Sequence, residues 1–444
     1  MDASDTKLTA TRTVRRLPDS GALRIEADVC VVGAGISGVS AAIESARLGR
    51  KVVIVDGMPR LGGQAVNGMI GTFAGLLSNG PHPYRFTYGI ADDIIRVLGG
   101  AGNLFLRRAH NTVMYDEGAL SRWIEDEIYG LGITVVLGAI VRGVTASDRR
   151  VRAVELATRY GDAVVAATGF VDASGDATVA WNAGLPCQEP AEGIVYGSQK
   201  VVLEGVIEDD YPSPAQLREA IERSGEKYGV RRKDGLANLF RGKGRVIVNA
   251  AHIETPLDPI LAAQAAHCGR LEAQKTIDFL KGEFPANFGA ATIKSFGLLG
   301  VRQTRWIVGT THLTVDDILA QRRFDDAIAR TGWGVELHNE VEKAIWEPLP
   351  EGHVHYIPLG SLTPPDVDNL LAVGRCIDAD VAALSSVRVM GPCIAMGAAA
   401  AHALDLSGEG SVHALSLAAL HERLHDNLYR TDPYEETTVA APRP

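Results

Sequence analysis

The apolar and polar positions follow a regular pattern near the start of the chain. The residues from Val29 to Val32 form an uninterrupted apolar run, which predicts a buried strand of a parallel sheet. Residues 36–48 place apolar side chains at helical spacing, and residues 51–55 form a second apolar run. The pattern therefore predicts a strand, a helix and a second strand, ending at the acid Asp56.

Three glycines, Gly33, Gly35 and Gly38, join the first strand to the helix in the pattern G-x-G-x-x-G. The first permits a tight turn, the second leaves room for a diphosphate beside the backbone, and the third lets the helix pack closely on the strand. Asp56 follows Gly38 by 18 residues, where a carboxylate accepts hydrogen bonds from a ribose diol. The unit predicts a dinucleotide ligand, and the acid argues against a 2′-phosphate.

Several later segments continue the alternation of strands and helices. Residues 115–132 predict a helix with a polar outer face, and residues 133–141 predict one buried strand. Alternating apolar residues from 149 to 167 predict an antiparallel hairpin, which leads into the apolar strand Gly169 to Val171. The segment 60–80 is rich in glycine yet apolar, which indicates backbone pressed against something flat rather than a flexible linker.

The composition of the chain changes between residues 195 and 360, where charged and aromatic residues become more frequent and apolar strand patterns become rare. Two segments there, residues 212–229 and 258–284, predict surface helices. Residues 368–378 then return to the pattern of a buried strand. Residues 391–406 predict a helix of small residues that a Gly-Pro pair opens.

These elements predict an α/β fold. We expect a Rossmann-like nucleotide-binding domain, built from a parallel sheet with helices and a β-meander, that carries an inserted α+β cap or substrate domain. The predicted boundaries are 1–24 for an N-terminal lead-in, 25–195 and 360–425 for the nucleotide domain, 196–359 for the cap, and 426–444 for a C-terminal tail. Ligands of such sheets bind at the carboxyl ends of the strands, so we expect the site where the cap meets them.

Composition narrows the classes of partner. The chain has 444 residues, of which 46% are hydrophobic and 22% charged, as in an ordinary globular protein. A formal net charge of −10 argues against nucleic acid as a binding partner. The sequence has no apolar run of about 18 residues, so we expect no membrane span. The scattered cysteines predict neither a disulfide scaffold nor an iron–sulfur or zinc site, and they fit a cytoplasmic setting. Assembly into a homo-oligomer is compatible with the sequence. The cysteines are Cys30, Cys187, Cys268, Cys376 and Cys393.

A set of motifs between residues 28 and 403 resembles one family. The motifs are VVGAGISGVSAA, VIVDGMPRLGGQ, GFVDASGDATVAWNAG, GVRQTRWIVGTTHLTVDDI, FDDAIARTGWGVELH, HYIPLGSL and NLLAVGRCIDADVAALSSVRVMGPCIAMGAAAA. Together they resemble the FAD-dependent oxidoreductases with a glutathione-reductase-type FAD domain, which are related to the fumarate reductase flavoproteins. The resemblance implies FAD as the cofactor and an FAD-binding role for the nucleotide domain.

The resemblance also implies which residues bind FAD. Those beside the diphosphate and the adenosine are Gly33, Gly35, Ile36, Ser37, Gly38, Asp56, Gly57, Arg60, Val141, Ser174, Gly175 and Asp176. Those along the ribityl chain and the flavin ring are Gly62, Gly63, Gln64, Gly374, Arg375, Pro392, Cys393 and Ile394. Ser174 stands where the family has threonine. The positive end of the helix over residues 391–406 would stabilise a reduced, negatively charged flavin, although close helix packing also explains its small residues.

Missing features narrow the flavoprotein class. No second glycine motif follows residue 60, which argues against the layout of the NAD(P)H-dependent disulfide reductases, and no cysteine pair follows the first glycine loop. We expect a dehydrogenase or an oxidase that takes a hydride from a C–H bond of a small organic substrate. Oxygen, a quinone and a carrier protein stay open as electron acceptors. The alternatives are an FAD-dependent monooxygenase and a non-enzymatic protein with this fold.

The predicted cap contains candidates for proton transfer and substrate binding. His338 is the first choice of base and His355 the second, because an imidazole accepts a proton near neutral pH as the hydride leaves. Tyr356 is the next candidate. Arg302 and Arg305 are candidates to clamp a carboxylate through forked donors, although internal ion pairs explain them equally well.

Two further features of this region have alternative explanations. His353 and His355 have the spacing of metal ligands, but no third ligand is placed to join them, so no metal site is predicted. Any one of these histidines can also be a surface residue or a buried structural one. Arg388 precedes the helix of small residues and is a candidate to face the substrate.

Overall fold

The computed structural model describes residues 11–15, 21–107, 110–191, 193, 195–234 and 236–434. Parts of the predicted lead-in and tail therefore lie outside the described residues. The strands are β1 Leu23–Val32, β2 Val52–Asp56, β3 Thr72–Phe73, β4 Leu104–Arg107, β5 Thr112–Tyr115, β6 Thr134–Leu137, β7 Ala139–Ser147, β8 Arg150–Thr158, β9 Gly161–Asp172, β10 Cys187–Gln188, β11 Gly197–Glu204, β12 Leu236–Phe240, β13 Arg245–Ile253, β14 Thr292–Phe296, β15 Trp306–Ile307, β16 Ala327–Thr331, β17 Val335–Leu337, β18 Ile345–Glu347, β19 His355–Pro358 and β20 Leu370–Ala372. The helices are α1 Ile36–Arg47, α2 Gly63–Asn67, α3 Ile90–Gly100, α4 Glu117–Gly130, α5 Thr178–Asn182, α6 Pro214–Tyr228, α7 Pro259–Glu283, α8 Pro285–Phe288, α9 Val315–Leu319, α10 Val381–Val387, α11 Met390–Ser407, α12 Leu417–Arg423 and α13 His425–Tyr429.

The central sheet has the strand order β6-β2-β1-β9-β8-β7, with β20 paired beside β9. Strands β6, β2, β1, β9 and β20 run parallel to their neighbours, whereas β7, β8 and the first half of β9 form an antiparallel meander. The two strands of the predicted strand–helix–strand unit pair in parallel, with Val29 opposite Val52 and Val32 opposite Val55. The α/β fold class with its parallel sheet is therefore confirmed.

The predicted single strand over residues 133–141 is wrong, because the chain turns in its middle. Gly138 has a φ of 62°, a left-handed conformation that suits glycine, and it separates β6 from β7. The strand β6 pairs with β2 at one edge of the sheet, and β7 pairs with β8 at the other edge. The continuous apolar run therefore gave no sign that its two halves belong to different strands.

The region between residues 195 and 360 contains more strand than the sequence indicates. Strands β12, β13, β11 and β14 form an antiparallel sheet in that order, which we call the cap sheet. Helices α6 and α7 pack together against it and agree with the predicted surface helices. Lys200 and Asn249 interrupt the apolar residues of β11 and β13, which conceals these strands in the sequence.

The buried apolar side chains between residues 196 and 359 belong to more than one core. Apolar residues between Val201 and Ala291 form a separate core of the cap sheet and its helices. Leu313, Ile328 and Ile357 instead belong to the larger core that includes α1 and the parallel strands. Residues 196–359 therefore do not form a single core, because their C-terminal part packs on the nucleotide domain.

Helix α11 begins at Met390, one residue before the predicted start, and crosses α1 closely. A Cβ atom on Gly397 would lie 2.2 Å from the carbonyl oxygen of Ser37, so the small residues serve close packing. Within the described chain, no single helix is long and apolar enough to cross a membrane. By length and composition alone, the pair α10 and α11, bent by 88°, meets that test as one broken helix.

Candidate functional site

A cavity of about 1160 Å³ lies between the carboxyl ends of the central strands and the cap sheet. We call its first side the nucleotide wall and its second side the cap wall. The nucleotide wall contains Gly33, Gly35, Ile36, Ser37, Asp56, Ser174, Gly175, Asp176 and Arg375. The cap wall contains Ser198, Lys200, Asn249, Arg302, Glu336, His338 and Arg388. The predicted glycine-rich segment, as α2 and the backbone up to Ala74, also lines this space.

The three glycines of the first turn have different surroundings. A Cβ atom on Gly33, whose φ is 106°, would lie 2.3 Å from the carbonyl oxygen of Ala173. A Cβ on Gly38 would lie 1.9 Å from the oxygen of Gly33, so this glycine permits helix packing. A Cβ on Gly35 would meet no atom within 4 Å. The space beside Gly35, at the free N–H groups of α1, is therefore open to a diphosphate.

Asp56 is held at the end of β2 by backbone donors. Its carboxylate accepts hydrogen bonds from the backbone N–H of Ala34 at 2.5 Å and of Met58 at 2.7 Å. Burial raises the pKa of the carboxyl group, and the two N–H donors oppose that shift. A fixed, partly buried acceptor on the nucleotide wall fits the diol of a ribose.

Arg375 contributes a cation to the same wall. Its Nη2 atom lies 3.6 Å from Asp176 Oδ1, and its Nη1 atom is buried with no hydrogen-bond partner among the described residues. A Cβ on Gly175 would lie within 2.3 Å of the guanidinium, so the glycine makes room for it. A buried cationic donor beside the glycine turn fits an anionic diphosphate. The residues present therefore fit FAD.

Most of the predicted FAD-binding residues line the cavity. They are Gly33, Gly35, Ile36, Ser37, Asp56, Gly57, Gly63, Gln64, Val141, Ser174, Gly175, Asp176, Gly374, Arg375 and Cys393. Gly38, Gly62, Arg60, Pro392 and Ile394 do not. Gly38 packs α1, and a Cβ on Gly62 would lie 2.2 Å from the Val66 side chain. Arg60 donates to Ser121 Oγ at 3.1 Å, while Pro392 and Ile394 occupy the packed side of α11.

His338, the preferred base in the sequence, belongs to a chain of three polar contacts. Its Nε2 atom lies 3.2 Å from Glu336 Oε1, and its Nδ1 atom lies 3.1 Å from His252 Nε2. The Nδ1 atom of His252 lies 2.9 Å from the carbonyl oxygen of Glu340 and must donate to it, because a carbonyl only accepts. His252 Nε2 is therefore the acceptor of a neutral ring, and it fixes Nδ1 of His338 as a donor.

The charges around these polar contacts favour a neutral His338 beside an ionised Glu336. Burial and the nearby Arg302 lower the pKa of His338 to about 4, against the opposing effect of Glu336. Burial raises the pKa of Glu336, but the charges of Arg302 and Arg388, together with the His338 contact whenever Nε2 of that ring carries a proton, hold it far below its ordinary value. Glu336 is thus a carboxylate that lines the cavity.

Lys200, Arg302 and Arg388 bring positive charge to the cap wall. Arg302 donates to the carbonyl oxygen of Tyr196 and to Ser198 Oγ, each at 2.6 Å. Arg388 donates to the carbonyl oxygen of Arg302 at 2.8 Å. Lys200 donates to the carbonyl oxygen of Ile70 at 2.9 Å.

These cations are not neutralised by direct ion pairs. Within the described chain, none of Lys200, Arg302 and Arg388 has an acid within ion-pair distance. The neighbouring Arg232 differs, because it is paired with Asp234. Burial and the like charge of its neighbours lower the pKa of Lys200 to about 7 and of Arg302 to about 9.

Three predicted catalytic residues lie elsewhere or are already paired. His355 and Tyr356 lie on β19 in the larger core and do not line the cavity, so the structure does not place them with the other candidates. His355 is fully buried, and its Nε2 atom contacts Ser386 Oγ at 3.1 Å. Arg305 lines the cavity, but it binds Glu189 at 2.5 Å and lies over the ring of Trp181. Its carboxylate partner is thus internal.

His353 and His355 lie close together. The ring centroids of His353 and His355 are 5.5 Å apart. In the part of the chain that the structure describes, no group of three or more histidine, cysteine, aspartate or glutamate side chains is placed to hold a metal ion.

Sequence reasoning missed Glu336 and Lys200. Glu336 is two residues from His338, a spacing that puts both side chains on one face of a strand, so a signal was present. Lys200 stands inside the apolar run of β11, which is unusual for a lysine. Asn249 is directly opposite Lys200 on β13, and its Oδ1 atom is buried with no partner in the described chain. Such an atom fits contact with a bound molecule.

Comparison with known proteins identifies relatives. A family model described as FAD dependent oxidoreductase matches residues 28–424. Probable oxidoreductase OrdL of Haemophilus influenzae is 51% identical over 49 residues, which cover 10% of this chain and 11% of that protein. The chain thus matches about one tenth of that relative's length.

Solved structures also resemble the chain at low identity. A geranylgeranyl bacteriochlorophyll reductase-like protein of Thermoplasma acidophilum is 12% identical, with a TM-score of 0.47, over 92% of this chain and 84% of that one. p-Nitrophenol 4-monooxygenase PnpA of Pseudomonas putida is 13% identical, with a TM-score of 0.41, over 91% of this chain and 84% of that one.

Proposed function

Because the chain belongs to the FAD-dependent oxidoreductase family and is an FAD-dependent enzyme, we propose that it removes a hydride from a C–H bond of a small organic substrate. The observation that carries this proposal is the contact of Glu336 with His338 on a wall of the cavity. Where the carbon that loses the hydride carries an O–H or N–H group, that group loses a proton as the C=O or C=N bond forms. On the cap wall, Glu336 beside His338 would accept that proton.

The nucleotide wall binds the cofactor in this proposal. The turn at Gly35 and the start of α1 hold the diphosphate, Asp56 holds the ribose, and Arg375 adds a positive charge. Bound FAD supplies the two-electron acceptor. The chain's own residues bind the substrate beside it, exclude water and take up the proton.

The number of protons on the histidine chain explains how a proton is taken up. The three contacts from Glu340 through His252 and His338 to Glu336 need three protons to become three hydrogen bonds. Two neutral imidazoles carry one N–H proton each, so one position is vacant while Glu336 is ionised. That position lies between His338 and Glu336, and the substrate's proton fills it.

We expect Glu336→Gln to retain FAD and to slow flavin reduction by substrate by roughly 10²- to 10⁴-fold, because an amide cannot accept the proton. Anaerobic stopped-flow measurement of flavin bleaching, after a screen that identifies a reducing substrate, measures this rate. Glu347→Gln is the matched control, since Glu347 is exposed on β18 and pairs with β17, which carries Glu336. Equal rates in both variants would exclude Glu336 as the acceptor.

Two further measurements separate the alternatives. Direct reduction by NAD(P)H without oxygen would favour a monooxygenase over a dehydrogenase or an oxidase. Mixing the substrate-reduced enzyme with oxygen, a quinone or a carrier protein identifies the electron acceptor by the return of the oxidised flavin spectrum. A purified protein that neither contains nor takes up FAD would contradict the assignment of an enzyme.

A further inference from the structure

We infer that the cap wall binds the carboxylate of an anionic substrate, with Lys200, Arg302 and Arg388 as its cationic partners. This inference rests on the proposed function, because it gives the substrate class of the same site. Its basis is the geometry of the wall, where three cations share one buried surface and no acid within the described chain pairs with them.

Lys200 gives the strongest indication that this wall binds an anion. An ammonium group has three donors, and Lys200 uses one of them on the carbonyl oxygen of Ile70. Burying a charged amine is costly unless an anion accompanies it. The side chain lines the cavity instead of leaving it, so the remaining donors are available to a ligand there.

Neutral carbonyl and hydroxyl groups hold the two arginines in place. Arg302 is fixed by Tyr196 and Ser198, and Arg388 is fixed by the carbonyl oxygen of Arg302. These contacts satisfy some N–H groups without neutralising either charge. Of the forked donors, Arg388 has Nε and Nη2 left without an acceptor in the described chain, a geometry that suits a carboxylate.

Glu336 is the acid of the cap wall. It supplies one negative charge against three positive ones, and it occupies the proton-accepting position. A carboxylate bound by the cations would leave the neighbouring O–H or N–H group of the same molecule to Glu336. Uncharged compounds would leave the buried charges unpaired, and the site would select against them.

The test uses the oxidised holoenzyme, so no turnover is needed. Acetate, propionate and succinate are titrated in a carboxylate-free buffer, with acetamide, propionamide and succinamide as neutral counterparts, and the shift of the flavin spectrum reports binding. Variants Lys200→Met and Arg388→Gln are compared with Lys294→Met. Lys294 is the matched control because it is an exposed lysine on β14 of the same sheet.

We expect carboxylates but not amides to bind, and roughly 10- to 100-fold weaker affinity in Lys200→Met and Arg388→Gln. Amides that bind as tightly as carboxylates would overturn the inference. It would also be overturned if the variants changed the flavin reduction potential but left carboxylate affinity unaltered, since the cations would then serve the flavin.

The outcomes for this inference and for the proposed function are distinguishable. Carboxylate binding with no flavin reduction by any substrate would contradict the proposed function alone. Reduction by an uncharged substrate, slowed by Glu336→Gln, would contradict the anionic class alone. Arg388→Gln provides the decisive comparison if Lys200→Met does not fold with FAD.

Discussion

Lys200 shows how its surroundings set the charge of a single side chain. Burial and the repulsion of Arg302 and Arg232 together lower its pKa to about 7, against the opposing effect of Glu336. The free amine is therefore close to half-charged at neutral pH. A bound anion would favour the charged form.

Carboxylate affinity should therefore depend on pH. The cation of Lys200 is present below its pKa of about 7 and is lost above it, so affinity falls as pH rises, by up to ~10-fold per pH unit. Titration of succinate between pH 6 and pH 9 measures this change. Lys200→Arg keeps its charge over that range and should flatten the profile. An identical slope in that variant would assign the titration to another group.

Gly35 differs from the other two glycines of the turn in the free space around it. Its vacant surroundings predict that Gly35→Val folds but does not bind FAD, because the side chain would occupy the space of the diphosphate. Flavin absorbance after gel filtration measures this loss. Gly130→Val is the control, since Gly130 ends α4 with no atom within 4 Å of an added Cβ. A yellow Gly35→Val protein would show that the diphosphate lies elsewhere.

At the scale of the element, the sequence predicted what local patterns determine. The first strand–helix–strand unit, the hairpin β8–β9, and helices α4 and α6 follow from periodicity and capping, and the structure confirms them. An α+β cap was predicted, but the positions of its strands were not, because Lys200 and Asn249 interrupt their apolar pattern. His338 could be proposed from the sequence because an imidazole is a common base. The position of Lys200 at the cavity depends on contacts with residues distant in sequence, such as Ile70, which the sequence does not reveal. The domain boundaries and the roles of site residues stay predictions.

Close packing of α11 on α1 gives a prediction for this pair of helices. Gly397→Ala should destabilise the fold by about 1–3 kcal/mol, because its Cβ would lie 2.2 Å from the Ser37 oxygen and 2.7 Å from Ser40 Cβ. Thermal unfolding of the holoenzyme measures this loss. Gly100→Ala in α3, which meets no neighbour within 4 Å, should be neutral or slightly stabilising. Similar midpoints in both variants would show that α11 can shift away from α1.

At the scale of the whole molecule, two cores meet around one cavity. The larger core supports the nucleotide wall, and the core between Val201 and Ala291 supports the strands of Lys200 and Asn249. The strands of Lys200 and Asn249 thus pack separately from the nucleotide wall. The sequence placed the site where the cap meets the sheet, which agrees with the position of the cavity.

The cation-lined cap wall lies inside a chain whose formal net charge is −10, and this contrast affects how fast an anion arrives. At long range the net negative charge of the protein repels an anion, whereas the inferred anion site in the cavity would attract it. Salt screens the repulsion across solvent over about 10 Å at 0.1 M, but it screens buried contacts much less. The association rate of a carboxylate, followed by stopped flow, should therefore rise with moderate ionic strength, opposite to the behaviour of enzymes that steer substrates by attraction. A rate that falls with salt would show that a local positive field extends beyond the cavity mouth. A rate that rises with salt, as expected, would mean that dilute anions are captured slowly but are retained once they enter.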